Sequence, residues 1–413
     1  MINFQKHILA NGLRVLVHID KSAPIAAFNM LYNVGSKDES PDRTGLAHLF
    51  EHLMFGGSEN VISFDGPLEE AGGQSNAFTS SDITNYFITI PKQNLETAFW
   101  LESDRLNSLT LNQNSINVQK AVVIEEFKQR YLNQPYGDAW LLLRPLAYKV
   151  HPYSWPTIGK DISHIENAGD DEIREFFNKH YAPANAILAV SGNVDPDEIF
   201  RFAEKWFGPI QRNFSYKRLL PSEPVQIKER SMTVIRDVPY DSIYLSFHCP
   251  GRKHPDFYST DLISDILCGS ESSHLYRELV KKKQLFSELD AFNTGDVENG
   301  LFILAGKVKN NINIEEAANG LRGGISEFIT KNLELNELDK VKHKAETAIA
   351  YSELKALDKA MNLAIFENLG NANLVNEELA NYESVTLNDI SRVSNSILEF
   401  NNASFLYYKK DTL

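Results

Sequence analysis

Residues 45–55 read Gly-Leu-Ala-His-Leu-Phe-Glu-His-Leu-Met-Phe, and this run constrains the chain more than any other. Three polar side chains, His48, Glu51 and His52, sit among Leu46, Leu49, Phe50, Leu53, Met54 and Phe55. On a helix His52 falls about 40° from His48, and Glu51 about 60° to the other side, so all three share one face. The rest of the run is apolar nearly all round, so the helix is expected to be buried. Burying two imidazoles and a carboxylate without partners costs on the order of several kcal/mol. A metal ion supplies the missing partner. Imidazoles one turn apart share a tetrahedral ion, and a carboxylate beside them serves as a general base. The order His-x-x-Glu-His (HxxEH) is the reverse of the commoner His-Glu-x-x-His zinc helix. The competing reading, a solvated polar stripe, does not suit the apolar neighbours.

Three ligands are needed for a catalytic zinc. Glu125 and Glu126 are the next candidates, in an expected helix over 112–131. On a wheel with Val122 at 0°, Glu126 lies at about 40°, on the border of the face formed by Ile116, Val123 and Phe127, and Glu125 at about 300°, pointing outward. Periodicity selects Glu126.

Composition narrows the partners. The 413 residues carry 41 basic and 55 acidic side chains, a net charge of −14, which argues against nucleic acid and anionic membranes. The length suits two or three domains. Two cysteines, Cys249 and Cys268, imply no disulfide framework. No run approaches the roughly 18 apolar residues of a membrane span, and the N-terminus has no signal-like core. A cytoplasmic protein is expected, or a periplasmic one if a signal segment was removed.

The element order restarts midway. A hairpin is expected over 4–19 around Asn11-Gly12, then a β-like run over 24–34, a polar loop and the histidine helix. Strands are expected at 75–79 and 84–90, helices at 92–109 and 112–131, a buried strand at 184–192 and a helix at 195–207. Periodicity fades around Pro209, Pro221 and Pro224. Strands over 231–248, a helix at 257–268, a strand at 300–308, helices at 313–330 and 335–356, and a strand at 403–408 then repeat the pattern. The second half has Asp261-Leu-Ile-Ser-Asp265 where the first has its histidines. The expectation is α+β: two similar domains in tandem, each a mostly antiparallel sheet packed with helices. The N-terminal one spans 1–212 and carries the metal site, 213–230 is a linker, and 231–413 lacks the metal motif.

The motifs together resemble the M16 (pitrilysin/inverzincin) zinc metallopeptidases, especially the two-domain branch that includes mitochondrial processing peptidase and its bacterial relatives. The likeness rests on His48-x-x-Glu51-His52 with Glu126, on Asn76-Ala77-Phe78-Thr79-Ser80 with Thr84 and Tyr86, and on Tyr181-Ala-Pro-Ala-Asn185 leading to Ser191-Gly-Asn-Val-Asp195. It implies an M16/LuxS-like fold, Zn²⁺ bound by His48, His52 and Glu126, and Glu51 as the base. It implies an extended peptide substrate along Asn76, Ala77, Phe78 and Thr79, cleaved in a chamber between domains or subunits, usually in a dimer. A sheet edge pairs with such a peptide by β-augmentation. Two departures stand out. Many members have a second Glu two turns before the third ligand, where this chain has Gln119, a candidate for holding a ligand in place. Active members also carry an Arg and a Tyr after a Gly-rich strand start in the second half, and Gly300-Leu-Phe-Ile-Leu304 with Lys307–Asn311 offers no such pair. The expected assembly is therefore a homodimer, or a heterodimer in which a second M16 subunit supplies the Arg/Tyr pair. The alternative function is a non-catalytic or partner-dependent scaffold subunit.

Overall fold

The computed structural model describes residues 1–22, 24–212, 214, 216–331 and 333–411. Positions 213 and 215 of the expected linker, and 23, 332, 412 and 413 of the expected domains, lie outside the described residues.

The strands follow in chain order: β1 (Phe4–Ile8), β2 (Arg14–Ile19), β3 (Ile25–Tyr32), β4 (Gln74–Thr79), β5 (Thr84–Pro91), β6 (Ala186–Gly192), β7 (Arg230–Arg236), β8 (Ser242–Cys249), β9 (Phe286–Asn293), β10 (Gly300–Val308) and β11 (Ala403–Lys410). β1 and β2 form the hairpin, turned at Gly12 with φ 89°, a left-handed conformation that suits glycine. The first sheet runs β1-β2-β6-β3-β5-β4 and the second β7-β11-β8-β10-β9. In each, the single parallel pair is matched: β2 with β6, and β7 with β11. The remaining neighbours are antiparallel. The two domains are thus similar, and β1 is an addition to the first.

β3 is buried from Ala26 to Tyr32 because β6 and β5 flank it and helices cover the sheet. Its buried amide, Asn29, is satisfied by a reciprocal pair with Asn85 of β5, at 3.0 and 2.8 Å.

The compact units do not follow chain order. One comprises 1–127, 155–220 and 349–377; the other comprises 128–154, 221–348 and 378–413. The expected division into 1–212 and 231–413 follows the sequence, whereas packing assigns two segments otherwise. The helix Ala356–Leu369 packs on β3 and β6 of the first sheet, where Ala360, Leu363 and Ala364 join a core with Leu16, Ala27, Leu31 and Ile187. The helix Ala139–Ala147 packs on β8 and β11 of the second, joining Ile303, Leu406 and Tyr408. Each fully buried Leu or Ile in these cores is worth about 1.5–3 kcal/mol, which fixes the helices to those sheets.

Candidate metal centre

The histidine helix is Leu46–Leu53. Eight residues are too few for a helix to persist by propensity, so packing must hold it. Leu46, Leu49, Phe50 and Leu53 are buried, and Phe50 stacks on Phe176 and Phe177 at 5.4 and 5.8 Å. The helix starts at Gly45, whose φ is 95°. A Cβ there would lie 2.7 Å from the Ile158 carbonyl oxygen, so glycine is required by both conformation and space.

The second helix, Gln113–Phe127, buries Ile116, Val123 and Phe127 and crosses the first. Glu125 is exposed and Glu126 is half-buried. Glu126 Oε2 lies 3.3 Å from His52 Nε2 and 3.7 Å from His48 Nε2. The two imidazoles meet edge to face, with centroids 4.9 Å apart. One ligand atom from each of the three residues lies within 4.8 Å of the others. Ligands at about 2.1 Å around a tetrahedral ion sit roughly 3.4 Å apart, so the 3.3 and 3.7 Å separations here suit these three residues holding a zinc-sized cation. Among the described residues this is the one group of three or more His, Cys, Asp or Glu side chains able to do so.

Glu51 lies between the two histidines on the same helix, and the Thr79 hydroxyl donates to its Oε2 at 2.6 Å. Thr79 ends β4, which has β5 as its one sheet neighbour among the described residues and so forms an open edge. Asn76 is exposed and Ala77 half-buried. The Asn76 side-chain oxygen accepts from the Ala77 N–H at 2.8 Å. Phe78 is half-buried and packs against the core that includes Ala360, Leu363 and Ala364 of the Ala356–Leu369 helix. Gln119, two turns before Glu126, is half-buried and lines a cleft of about 400 Å³ with Gly56, Ser58, Ile62, Ser115 and Val118.

Two further residues act at the ends of the histidine helix. Glu39 is buried and accepts from Gly45 N at 2.9 Å, Ala47 N at 2.8 Å and Trp155 Nε1 at 3.2 Å. Burial pushes its carboxyl up to about 8, against the pull of these three donors. At the other end Arg105, 1% exposed, donates to the Met54 carbonyl at 3.3 Å. It pairs through two nitrogens with Glu102, at 2.9 and 2.5 Å, and lies over the rings of Phe64 and Tyr86 at 4.3 and 4.5 Å. Sequence reasoning missed both. Glu39 has no local motif. Glu102 and Arg105 did leave a signal: two opposite charges three residues apart on the buried face of the helix Leu95–Ser108.

Comparison with known proteins agrees with this architecture. The family description Insulinase (Peptidase family M16) matches residues 14–141, and Peptidase M16 inactive domain matches 169–345. The chain is 32% identical to the zinc protease PqqE of Helicobacter pylori over 341 residues, 81% of this chain and 76% of that protein. It is 25% identical to an uncharacterized zinc protease, YmxG, of Bacillus subtilis, over 73% of each. A crystal structure of a protease from Helicobacter pylori superposes with a TM-score of 0.92 at 28% identity, covering 99% of this chain and 100% of that one. Among the described residues no helix is long and apolar enough to cross a membrane. A two-sheet α+β fold, a His-x-x-Glu-His helix and these relatives converge on one assignment: the chain belongs to the M16 peptidase family.

Proposed function

We propose that this chain is a zinc-dependent endopeptidase acting on peptides or unfolded segments held in extended form. The observation that carries the reading is the meeting of His48, His52 and Glu126 beside Glu51 and an open strand edge. His48, His52 and Glu126 would hold the zinc. Bound there, the metal supplies a Lewis acid that polarises the scissile carbonyl and acidifies water. Glu51 takes the proton from the attacking water and delivers it to the leaving amine. Thr79 fixes the orientation of the Glu51 carboxylate. The free edge of β4 pairs with the substrate backbone, with Asn76, Ala77 and Phe78 contributing mainly main-chain groups, so that shape is read more than sequence.

The test is Glu51→Gln, followed with a quenched peptide and by zinc content. Turnover is expected to fall by at least about a thousandfold while zinc stays bound. Cleavage at the wild-type rate would refute the assignment.

A second reading, a partner-dependent or scaffold subunit, is favoured by one observation. β10 carries Leu301, Phe302 and Ile303 in its buried stretch, with no Arg or Tyr in the strand. A second M16 subunit would then supply an Arg/Tyr pair to the substrate carbonyl. Zinc-loaded chain that cleaves only after a partner is added supports this version, and full activity of the purified chain alone refutes it.

A further inference from the structure

The histidine helix is short, begins at a glycine and has no side-chain cap of its own. Yet the cluster needs its two imidazoles placed to a fraction of an ångström against Glu126. The groups that fix it come from elsewhere in the same compact unit, one at each end. At the start, Glu39 receives the N–H groups of Gly45 and Ala47, the latter adjacent in the chain to His48. Its Oε2 is itself held by Trp155, whose Nε1 also donates to the Ser36 carbonyl at 3.0 Å. At the finish, Arg105 holds the carbonyl of Met54, two residues after His52. Arg105 cannot shift, because Glu102 grips it through two bonds and Phe55, Phe64 and Tyr86 surround it. A cation at a helix C-terminus also suits the negative end of the helix dipole.

We infer that Glu39 and Arg105 are positioning residues that clamp the histidine helix from its two ends and thereby set metal affinity. Neither hydrogen-bonds to a ligand side chain in the bonds described, and neither lies on the β4 edge. They act on where His48 and His52 sit, not on substrate. The inference rests on the metal-centre reading above.

The experiment measures the zinc dissociation constant by competition with a chromophoric chelator, on the folded full chain. The variants are Glu39→Gln, Trp155→Phe, and the double change Glu102→Gln with Arg105→Met, which removes both buried charges together. Thermal unfolding checks that each folds. Glu39→Gln and the double variant are expected to bind zinc roughly ten- to a hundredfold more weakly, as groups that orient metal ligands do. Trp155→Phe removes one bond to Glu39 and is expected to weaken zinc by about threefold, a smaller step on the same scale. Once saturated with zinc, the variants should keep the wild-type KM for peptide. Zinc affinity equal to wild type in the folded variants overturns the clamp. Should Glu39→Gln not fold, Trp155→Phe decides the N-terminal arm alone. The two readings fail separately: a wild type that binds zinc but cleaves nothing sinks the peptidase proposal, while variants that bind zinc as tightly as wild type sink the clamp.

Discussion

The same place in the two domains is used in opposite ways. After β3 the first domain places the helix Leu46–Leu53, and after β8 the second places Phe257–Cys268. The first presents His48, Glu51 and His52; the second presents Asp261, Ser264 and Asp265 with the same spacing. In each domain the facing side chain comes from the second helix after the next hairpin. In the first it is Glu126, opposite two imidazoles. In the second it is Lys344, from the helix Leu335–Ser352, whose Nζ lies 2.5 Å from Asp265. Asp261 is satisfied by Tyr382 Oη and by Asn293 Nδ2, each at 2.7 Å, while burial raises its carboxyl pKa. Ser264 turns its hydroxyl onto the Asp261 carbonyl of its own helix. The crossing of two helices is therefore a property of the scaffold. Whether it holds a metal depends on whether the converging groups are lone-pair donors or pairs that satisfy each other.

The most severe way to break this comparison is to write the second domain's residue into the first. Glu126→Lys removes one of the three proposed ligands and would set an ammonium against the cation. Zinc affinity is expected to fall by more than about a thousandfold, read by chelator competition, with the fold retained because Glu126 is only half-buried. Retention of tight zinc binding would mean that Glu126 is not a ligand and that the two crossings are not counterparts.

The sequence made the crossing legible in part. His48, Glu51 and His52 declared a common face through spacing alone, and the buried side of Ile116, Val123 and Phe127 chose Glu126 over Glu125. The helix 257–268 and the strand 300–308 match their expected bounds because capping loops and apolar runs mark both ends. β9 was not anticipated, since Phe286–Asn293 alternates with charged residues and lacks a continuous apolar run. The assignment of Ala139–Ala147 and Ala356–Leu369 to the sheets they cover could not be read either. A helical period says which face is apolar, not which sheet receives it. Glu39 and Arg105 lie outside the 45–55 run while their partners Gly45, Ala47 and Met54 lie within it, so no spacing inside the run points to them. Thr79 was placed on the substrate strand, but its hydroxyl contact with Glu51 needed coordinates.

A smaller effect sharpens the contrast away from the metal. Each domain also buries an imidazole whose two nitrogens find no hydrogen-bond partner among the described residues: His180 in the first and His274 in the second. His180 lies between Phe176 and Tyr216, and burial lowers its pKa from 6.5 to about 4, with Lys179 and Arg218 lowering it further and Asp38 opposing. The unfolded chain thus takes up the proton first as pH falls. Stability linked to His180 is fully present above pH 6.5 and is lost progressively toward pH 4, by about 3 kcal/mol in all. Denaturant unfolding at pH 7 and pH 4.5 should show this loss in the wild type and a reduced loss in His180→Leu. An equal loss in both would show that other groups carry the acid sensitivity.

The mildest intervention probes the second domain's own crossing. Lys344 is 54% exposed and Asp265 23% exposed at the side chain, so solvent screens their attraction. Lys344→Met keeps the aliphatic stem and removes the charge, leaving Asp265 able to reach water. The expected cost is below about 1 kcal/mol by denaturant unfolding, with zinc content unchanged. That contrast is the physical content of the comparison: a screened ion pair closes one crossing, whereas the other brings two imidazoles and a carboxylate together, the set proposed to hold zinc. A loss of several kcal/mol on Lys344→Met would mean that the second crossing is as heavily loaded as the first, and that its lysine does structural service equal to a metal.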